Sequence, residues 1–286
     1  MKKICITTDC TCDLPEELLK KYDIDLVYYY IITENGRFRD LDEISANNIF
    51  EYLDNHGRKT DTVAPMPSEF KEFFERKLTE YEEIIHVTIS SEVSSGVEHA
   101  EEAVRQMGEV GNRVHVFDSQ HLSTGMGHIA LAAAKMAREG KSSDEIVAHI
   151  SAMRKRVSTS FIAMNANQLY NNGLVSKTVR NVCNMLSIHP VLHMKEGKLK
   201  LKSIQIGNYE ACLVRYVRAE LRKAVRIKKG LLFITHAGCP LKDIRLIQRE
   251  INRITTFEKV MVTKASATIS GNSGPRTAGL LYVHEE

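Results

Sequence analysis

The sequence predicts an α/β protein of two domains, with a mainly parallel sheet in the first domain and a mixed sheet in the second. The chain has 286 residues, which is long for one domain and ordinary for two. Its first half alternates short β-branched runs with amphipathic stretches, the order typical of a parallel sheet covered by helices. Its second half contains a hairpin pattern, so that sheet should include antiparallel pairs. We place the domains at 1–157 and 158–286, with residues 60–80 free to pack against the second.

The first half supplies its strand and helix signals in alternation. Asp13 and Glu16 form a capping-box pattern that predicts a helix starting at about residue 14. A strand is expected over 24–32, and Asn35-Gly36 after it is the strongest short hairpin signal. The other predicted strands are 3–8, 84–89 and 113–117; the other predicted helices are 46–56, 68–80, 94–107, 124–138 and 144–156, the last with Ser143 as its cap.

The second half has a different character. Glu196-Gly197 separates two apolar-alternating segments and predicts a hairpin. A long amphipathic helix is expected from Tyr209 to about Arg226. The remaining expected elements are an apolar segment at 161–164, helices at 177–187 and 240–254, and strands at 230–235, 259–264 and 279–283.

Composition narrows the classes of function. A net charge of +3 gives no general attraction to nucleic acid, so no nucleic-acid partner is expected. No apolar run approaches the ~20 residues of a membrane span, and the three-residue run after the first lysines is too short for a signal peptide, so we expect a cytoplasmic protein without membrane insertion. Cysteines are sparse, and the C-x-C spacing of Cys10 and Cys12 does not fit a zinc site, so we predict thiols, no metal and no cofactor.

Four polar turns follow predicted strands. Ligands of open α/β sheets bind beyond the carboxyl ends of the strands, where such turns meet. Each turn alone is more often an ordinary cap or loop. Together they offer hydroxyls and helix N-terminal N–H groups with few cations, which suits one carboxylate. The turns are 8–13, 60–65, 90–96 and 118–127.

Five segments, taken in order, resemble motifs of the DegV family. TTDCTCDLP resembles the family's TDSTSDLP, with cysteines where the family has serines. The DTVAPMPSEF segment resembles TSQPSPxEF, and TISSEVSSG resembles ISSxLSGT. The last two, near residues 116–127 and 273–279, resemble DSxxxSxGxG and HTGPGxxG. The matching segments are 7–15, 61–70, 88–96, 116–127 and 273–279.

The resemblance implies a two-domain protein without catalysis of its own that binds one long-chain fatty acid in a buried tunnel between the domains. Family members present the carboxylate to a separate fatty acid kinase. Carried over by position, Thr62 and Ser94 match the hydroxyls that hold the carboxylate, with Ser95 and Asn272 nearby. The other residues expected at the tunnel or the head-group turn are Ser91, Ser123, Gly125, Met126, Ile129 and Arg276.

The chain departs from the family pattern at three positions that bear on the kinase step. Leu174 and Asn272 stand where the family usually has Arg and His, the groups expected to meet a phosphate. Arg276 replaces a glycine, and we hypothesise that it restores one cation near the head group.

Several alternatives stay open from the residues alone. Ser94 or Cys10 could be the nucleophile of a hydrolase or transferase acting on a small carboxylate or acyl substrate, provided a base lies within reach. A regulatory binder of some other carboxylate is a third possibility. The small residues of helix 128–138 fit either a lipid tail or close helix packing. The basic residues between 195 and 226 fit either a solvated face or docking to an acidic protein.

Overall fold

A computed structural model describes residues 2–56, 60–167, 170, 176–178, 181, 187–222 and 227–285. The strands in these residues are β1 (Lys2–Asp9), β2 (Ile24–Val27), β3 (Tyr30–Thr33), β4 (Gly36–Arg39), β5 (Asp61–Val63), β6 (Tyr81–Thr88), β7 (Val114–Asp118), β8 (Val157–Ile162), β9 (Ile188–Lys195), β10 (Lys198–Ile206), β11 (Leu231–Ala237), β12 (Lys259–Lys264) and β13 (Thr277–Val283).

The α-helices of the same residues cover the sheets and join them. They are α1 (Glu16–Tyr22), α2 (Ala46–His56), α3 (Pro67–Lys77), α4 (Gly96–Gln106), α5 (Ser123–Arg138), α6 (Ser143–Arg154), α7 (Tyr209–Arg222), α8 (Leu241–Ile254) and α9 (Ala267–Ser273). Most of the predicted helix at 177–187, and Leu174, lie outside the described residues. Within the described part, no helix is both long and apolar enough to cross a membrane.

The predicted α/β class, with one parallel and one mixed sheet, is confirmed. The first large sheet has the order β2-β1-β6-β7 and is parallel throughout. The second has the order β10-β9-β8-β13-β11-β12, in which β11 and β12 are parallel and the other pairs antiparallel. A small antiparallel sheet, β4-β3-β5, completes the set.

Helix α5 lies between the two large sheets and contacts strands of both. Its fully buried Met126 and Ile129 belong to one hydrophobic core that includes Val87 of the first sheet with Phe233 and Leu281 of the second. The alanines that follow them on α5 belong to the same core, so its small residues take part in close packing between the sheets, which is one of the two uses that the sequence left open.

Several sequence-based boundaries were wrong. The strand expected over 24–32 is two strands, β2 and β3, that belong to different sheets. Helix α1 begins at Glu16 after Pro15, and Asp13 does not cap it: Asp13 has a left-handed backbone (φ 53°) and its carboxylate turns toward other elements. Ser142, not Ser143, is the N-cap of α6. Helix α9 was not predicted.

Residues 60–80 contact both the first sheet and a segment near the C-terminus. Phe70 and Phe74 of α3 pack in a core with Cys5 and Ile84 of the first sheet. Thr62, by contrast, hydrogen-bonds across to the segment near the C-terminus. The division of the chain into two domains near residue 157 stays a prediction.

Candidate functional site

A cavity of about 390 Å³ lies where the polar turns of the first sheet meet the second sheet and α9. The volume falls in the usual range for small-molecule sites. Apolar side chains of the second sheet and of the turns after the first sheet form much of its wall, among them Ile89, Leu122, Phe161, Leu199 and Leu281. Four of its other lining residues carry the hydroxyl and amide groups that are paired with one another: Tyr29, Thr62, Ser94 and Asn272.

The small sheet brings the two polar pairs to one wall. Strand β5 pairs with β3 so that Thr62 lies opposite Ile31. Tyr29 is two residues before Ile31 and therefore lies diagonally across from Thr62. The hairpin signal at Asn35-Gly36 is confirmed as the β3–β4 turn, and this hairpin holds β3 in place.

Ser94 lies in the turn before α4 and has two polar neighbours. Its Oγ accepts the backbone N–H of Gly96 at 3.1 Å. The Tyr29 hydroxyl lies 2.8 Å from the same Oγ. Gly96 leaves room for this contact, because a Cβ at that position would lie 2.1 Å from the Tyr29 hydroxyl oxygen and displace it. Ser94 is half-buried and borders the cavity.

Thr62 has a matching partner on α9. The Asn272 side-chain amide donates to the Thr62 Oγ1 at 3.2 Å and to the Thr268 carbonyl at 2.8 Å. Since the Thr268 carbonyl can only accept, it fixes which end of the Asn272 amide carries the hydrogens. The amide therefore supplies a donor to Thr62, and the Thr62 proton stays available to another acceptor.

Helix α9 is held by carboxylates from the first half of the chain. The Asp13 Oδ1 accepts the backbone N–H of Ser266 at 2.8 Å, and the Ser266 side chain caps the helix. Both oxygens of Asp40 accept backbone N–H groups of the first turn of α9, at 2.8 Å each. Burial raises the pKa of Asp40 and raises that of Asp13 to about 7. These bonds fix the position of Asn272.

Of the predicted site residues, Thr62, Ser94, Ser95, Asn272 and Ser123 all border the cavity. The Ser123 hydroxyl at the start of α5 donates to the Asp13 Oδ2 at 2.5 Å. This contact places the α5 turn beside the turn of residues 8–13, as the sheet-edge argument expected.

The other predicted residues lie elsewhere. Ser91 is exposed and donates to the Asp118 Oδ2 at 2.7 Å. Met126 and Ile129 are buried in the core between the sheets, because α5 packs there on both sides. Gly125 faces Thr159, with room for no side chain. None of these four borders the cavity.

Arg276 also lies outside the cavity lining, so the geometry does not favour the head-group role hypothesised for it. Its Nη2 donates to the buried carboxylate of Asp243 at 2.7 Å, and its guanidinium lies 5.0 Å from the Tyr209 ring centroid. Several basic residues between 195 and 226 are likewise paired with acidic ones: Lys202 with Glu220 at 2.8 Å and Arg218 with Glu250 at 2.6 Å.

The cavity has little charge. Among its described lining residues none is Lys or Arg. His236 borders it, but burial lowers the pKa of this imidazole, and its Nδ1 accepts the backbone N–H of Cys239 at 3.1 Å. In the described part of the chain, no cluster of three or more His, Cys, Asp or Glu side chains could hold a metal ion.

The nucleophile hypothesis finds no support in this geometry. The Cys10 thiol is fully buried, its Sγ accepts the Tyr29 backbone N–H at 3.2 Å, and burial raises its pKa well above the usual range. Ser94 has a phenol as its neighbour rather than a base. His121 bonds Thr159 through Nδ1 and the Arg154 carbonyl through Nε2, and burial lowers its pKa to about 4.

The fold and the site define an α/β protein with a largely apolar ligand cavity between two sheets and a wall of paired hydroxyls. The chain belongs to the DegV family, since the family model described as "Uncharacterised protein, DegV family" matches residues 3–285. A DegV domain-containing protein of Caldanaerobacter subterraneus is 29% identical over 284 residues, covering 99% of each chain.

Solved structures show the same fold. A DegV family protein from Thermus thermophilus, described for its fatty acid binding, has a TM-score of 0.89 at 24% identity, covering 99% of this chain and 100% of that one. The Fatty Acid Kinase (Fak) B3 protein of Streptococcus pneumoniae, loaded with linoleic acid, has a TM-score of 0.85 at 20% identity, with coverage of 99% and 100%. The predicted family is thus confirmed.

Proposed function

We propose that this chain binds one long-chain fatty acid, with the carboxylate at Thr62 and Ser94 and the tail along the apolar wall. The observation that carries the proposal is the composition of the cavity: apolar over much of its surface, with hydroxyls that can donate and no lysine or arginine among the described lining residues. A carboxylate accepts hydrogen bonds, and apolar walls suit a methylene chain. The Thermus and Streptococcus relatives, described with fatty acid, support the same ligand class.

The free energies suit such a ligand. A tail of ~15 methylenes gains about 12 kcal/mol on burial, at ~0.8 kcal/mol each, before the tail is ordered. Each charge-assisted hydrogen bond to the carboxylate contributes about 1.5–3 kcal/mol. The tail therefore supplies much of the affinity, while the two hydroxyls fix which end of the ligand meets the polar turns. No catalytic residue is required, and we propose a carrier located in the cytoplasm rather than an enzyme.

Solvent extraction of the purified protein, followed by mass spectrometry, tests the ligand. We expect a long-chain acid at close to one per chain. Replacing both hydroxyls, Thr62→Val with Ser94→Ala, should weaken binding of an added acid by at least ~10-fold, since each lost bond is worth more than 1 kcal/mol. Ser91→Ala removes a neighbouring hydroxyl outside the cavity and is the matched control. A wild-type protein that takes up no acid, even when challenged with excess, would contradict the proposal.

A second part of the proposal is that the bound acid is presented to a fatty acid kinase. It is supported by the likeness to the Streptococcus pneumoniae protein named after such a kinase. In that reaction the carboxylate oxygen attacks the γ-phosphorus of ATP, giving acyl phosphate and ADP. Trapping the product with hydroxylamine, after mixing loaded protein, a fatty acid kinase and ATP, tests this part. A loaded protein that yields no hydroxamate would contradict it while leaving the ligand proposal intact.

A further inference from the structure

We propose that Tyr29 is a positioning residue whose phenol turns the Ser94 proton into the cavity, so that the site selects carboxylates over other lipid head groups. The inference rests on the proposed function. Sequence reasoning did not single out Tyr29, which lies in a segment of three consecutive tyrosines.

The Ser94 hydroxyl can make only a limited number of hydrogen bonds. A serine hydroxyl has one proton to donate and two lone pairs that accept. The backbone N–H of Gly96 occupies one lone pair at 3.1 Å. What remains is one lone pair and the proton, and the Tyr29 oxygen at 2.8 Å engages one of these two.

The surroundings of the Tyr29 hydroxyl determine whether it engages the lone pair or the proton of Ser94. Tyr29 is 3% exposed, and the described residues offer its hydroxyl no acceptor other than the Ser94 Oγ. A buried hydroxyl without an acceptor is unfavourable, and a phenol is a stronger donor than an alkyl alcohol. The phenol therefore donates to Ser94, which fills the second lone pair. Burial raises the pKa of Tyr29 well above its usual range, so the phenol keeps its proton at neutral pH.

The Ser94 proton is what this arrangement offers to a ligand. With both lone pairs filled, the Ser94 proton has no competing role and points to the cavity. Thr62 also has a donor beside it: the Asn272 amide donates to its Oγ1 at 3.2 Å and fills one lone pair, so its proton is free to meet an acceptor. Two hydroxyls that are each supplied by a donor from behind favour an acceptor-only group between them. A fatty alcohol, which can donate and accept, gains much less from this orientation.

Tyr29→Phe keeps the ring and removes the hydroxyl. We expect it to weaken binding of palmitic acid by ~3- to 10-fold, the effect of one hydrogen bond, and to change hexadecanol binding by less than about twofold, both read by displacement of a fluorescent acyl probe. In a Ser94→Ala background the same substitution should have no further effect, because its action passes through Ser94. Tyr81→Phe, a buried tyrosine of the first sheet that does not border the cavity, is the matched control.

A second readout uses palmitic acid labelled with ¹³C at the carboxyl carbon. Donors aimed at the carboxylate favour its ionised form, so the pKa of the bound acid should be higher in Tyr29→Phe than in the wild type. Equal affinities and equal carboxyl titrations in the two proteins would overturn the inference, as would a Tyr29→Phe loss that persists without Ser94. Failure of the wild type to bind either lipid would instead contradict the proposed function.

Discussion

The buried Asp13 carboxyl group should make the stability of this protein depend on pH. Its pKa is raised from 3.8 to about 7, chiefly by burial, against the hydrogen bonds from Ser123 and Ser266 that lower it. The folded protein therefore holds a proton on Asp13 at pH values where the unfolded chain has lost it. Asp13→Asn resembles the protonated form, because its amide can donate to the Ser123 oxygen while its carbonyl accepts from Ser266.

The magnitude follows from the two pKa values. Because the folded pKa is the higher one, this stabilising effect is complete below about pH 4 and is lost as the pH rises through about 7. From pH 5 to pH 8 the wild type should lose about 3 kcal/mol of unfolding free energy through Asp13, at ~1.4 kcal/mol per unit of pKa difference. Asn does not titrate, so the variant lacks this loss. The variant should thus be the more stable protein at pH 8.

Urea unfolding at pH 5, 6, 7 and 8, with both proteins stripped of lipid, measures the effect. Groups far from Asp13 titrate alike in the two proteins, so the difference between their unfolding free energies reports Asp13 together with its coupling to the buried Asp40. Asp144→Asn, at an exposed position of α6, controls for the loss of one charge. If the difference between wild type and Asp13→Asn stays constant across this range, burial does not raise the pKa as argued.

Two further predictions concern residues near the cavity. Arg276→Ala should lower the unfolding free energy by about 2–3 kcal/mol, because the buried Asp243 loses its partner at 2.7 Å. Its affinity for the acid should stay within about twofold of the wild type, since Arg276 does not border the cavity. A large loss of affinity would show that Arg276 does act at the head group. Gly125→Ala would place a Cβ 1.9 Å from the Thr159 Oγ1, so urea unfolding should show a loss of about 1–3 kcal/mol, and an unchanged midpoint would mean that α5 shifts freely.

The fold was largely accessible from the sequence because strand and helix periodicities are local signals. The errors have long-range causes. Asp13 fits a capping box, yet its carboxylate bonds Ser266, which is 253 residues away. Helix α9 has seven residues without an apolar period, and it is held in place by buried Asp40 and by the Ser266 cap. Neither of these long-range contacts can be detected from the local residue pattern that predicts helices and strands.

The candidate site shows the same limit. The motifs led to Thr62, Ser94 and Asn272, because each lies in a polar turn or at a glycine-rich segment that can be recognised by spacing. They did not separate Ile129, which packs between the sheets, from residues that border the cavity. Periodicity indicates that a helix face is buried, but it does not say whether side chains or a ligand cover that face.

Tyr29 is the site residue that the sequence motifs missed, and the contact that positions it comes from the turn at residues 8–13. A strand over 24–32 would place successive tyrosines on alternate faces, with no reason to prefer one. The chain instead breaks between β2 and β3, and the backbone N–H of Tyr29 at this break is donated to the Cys10 sulfur at 3.2 Å. A thiol sulfur accepts such a bond more weakly than a serine hydroxyl oxygen would. Cys10, which the sequence offered as a possible nucleophile, instead holds the backbone from which the Tyr29 phenol reaches Ser94.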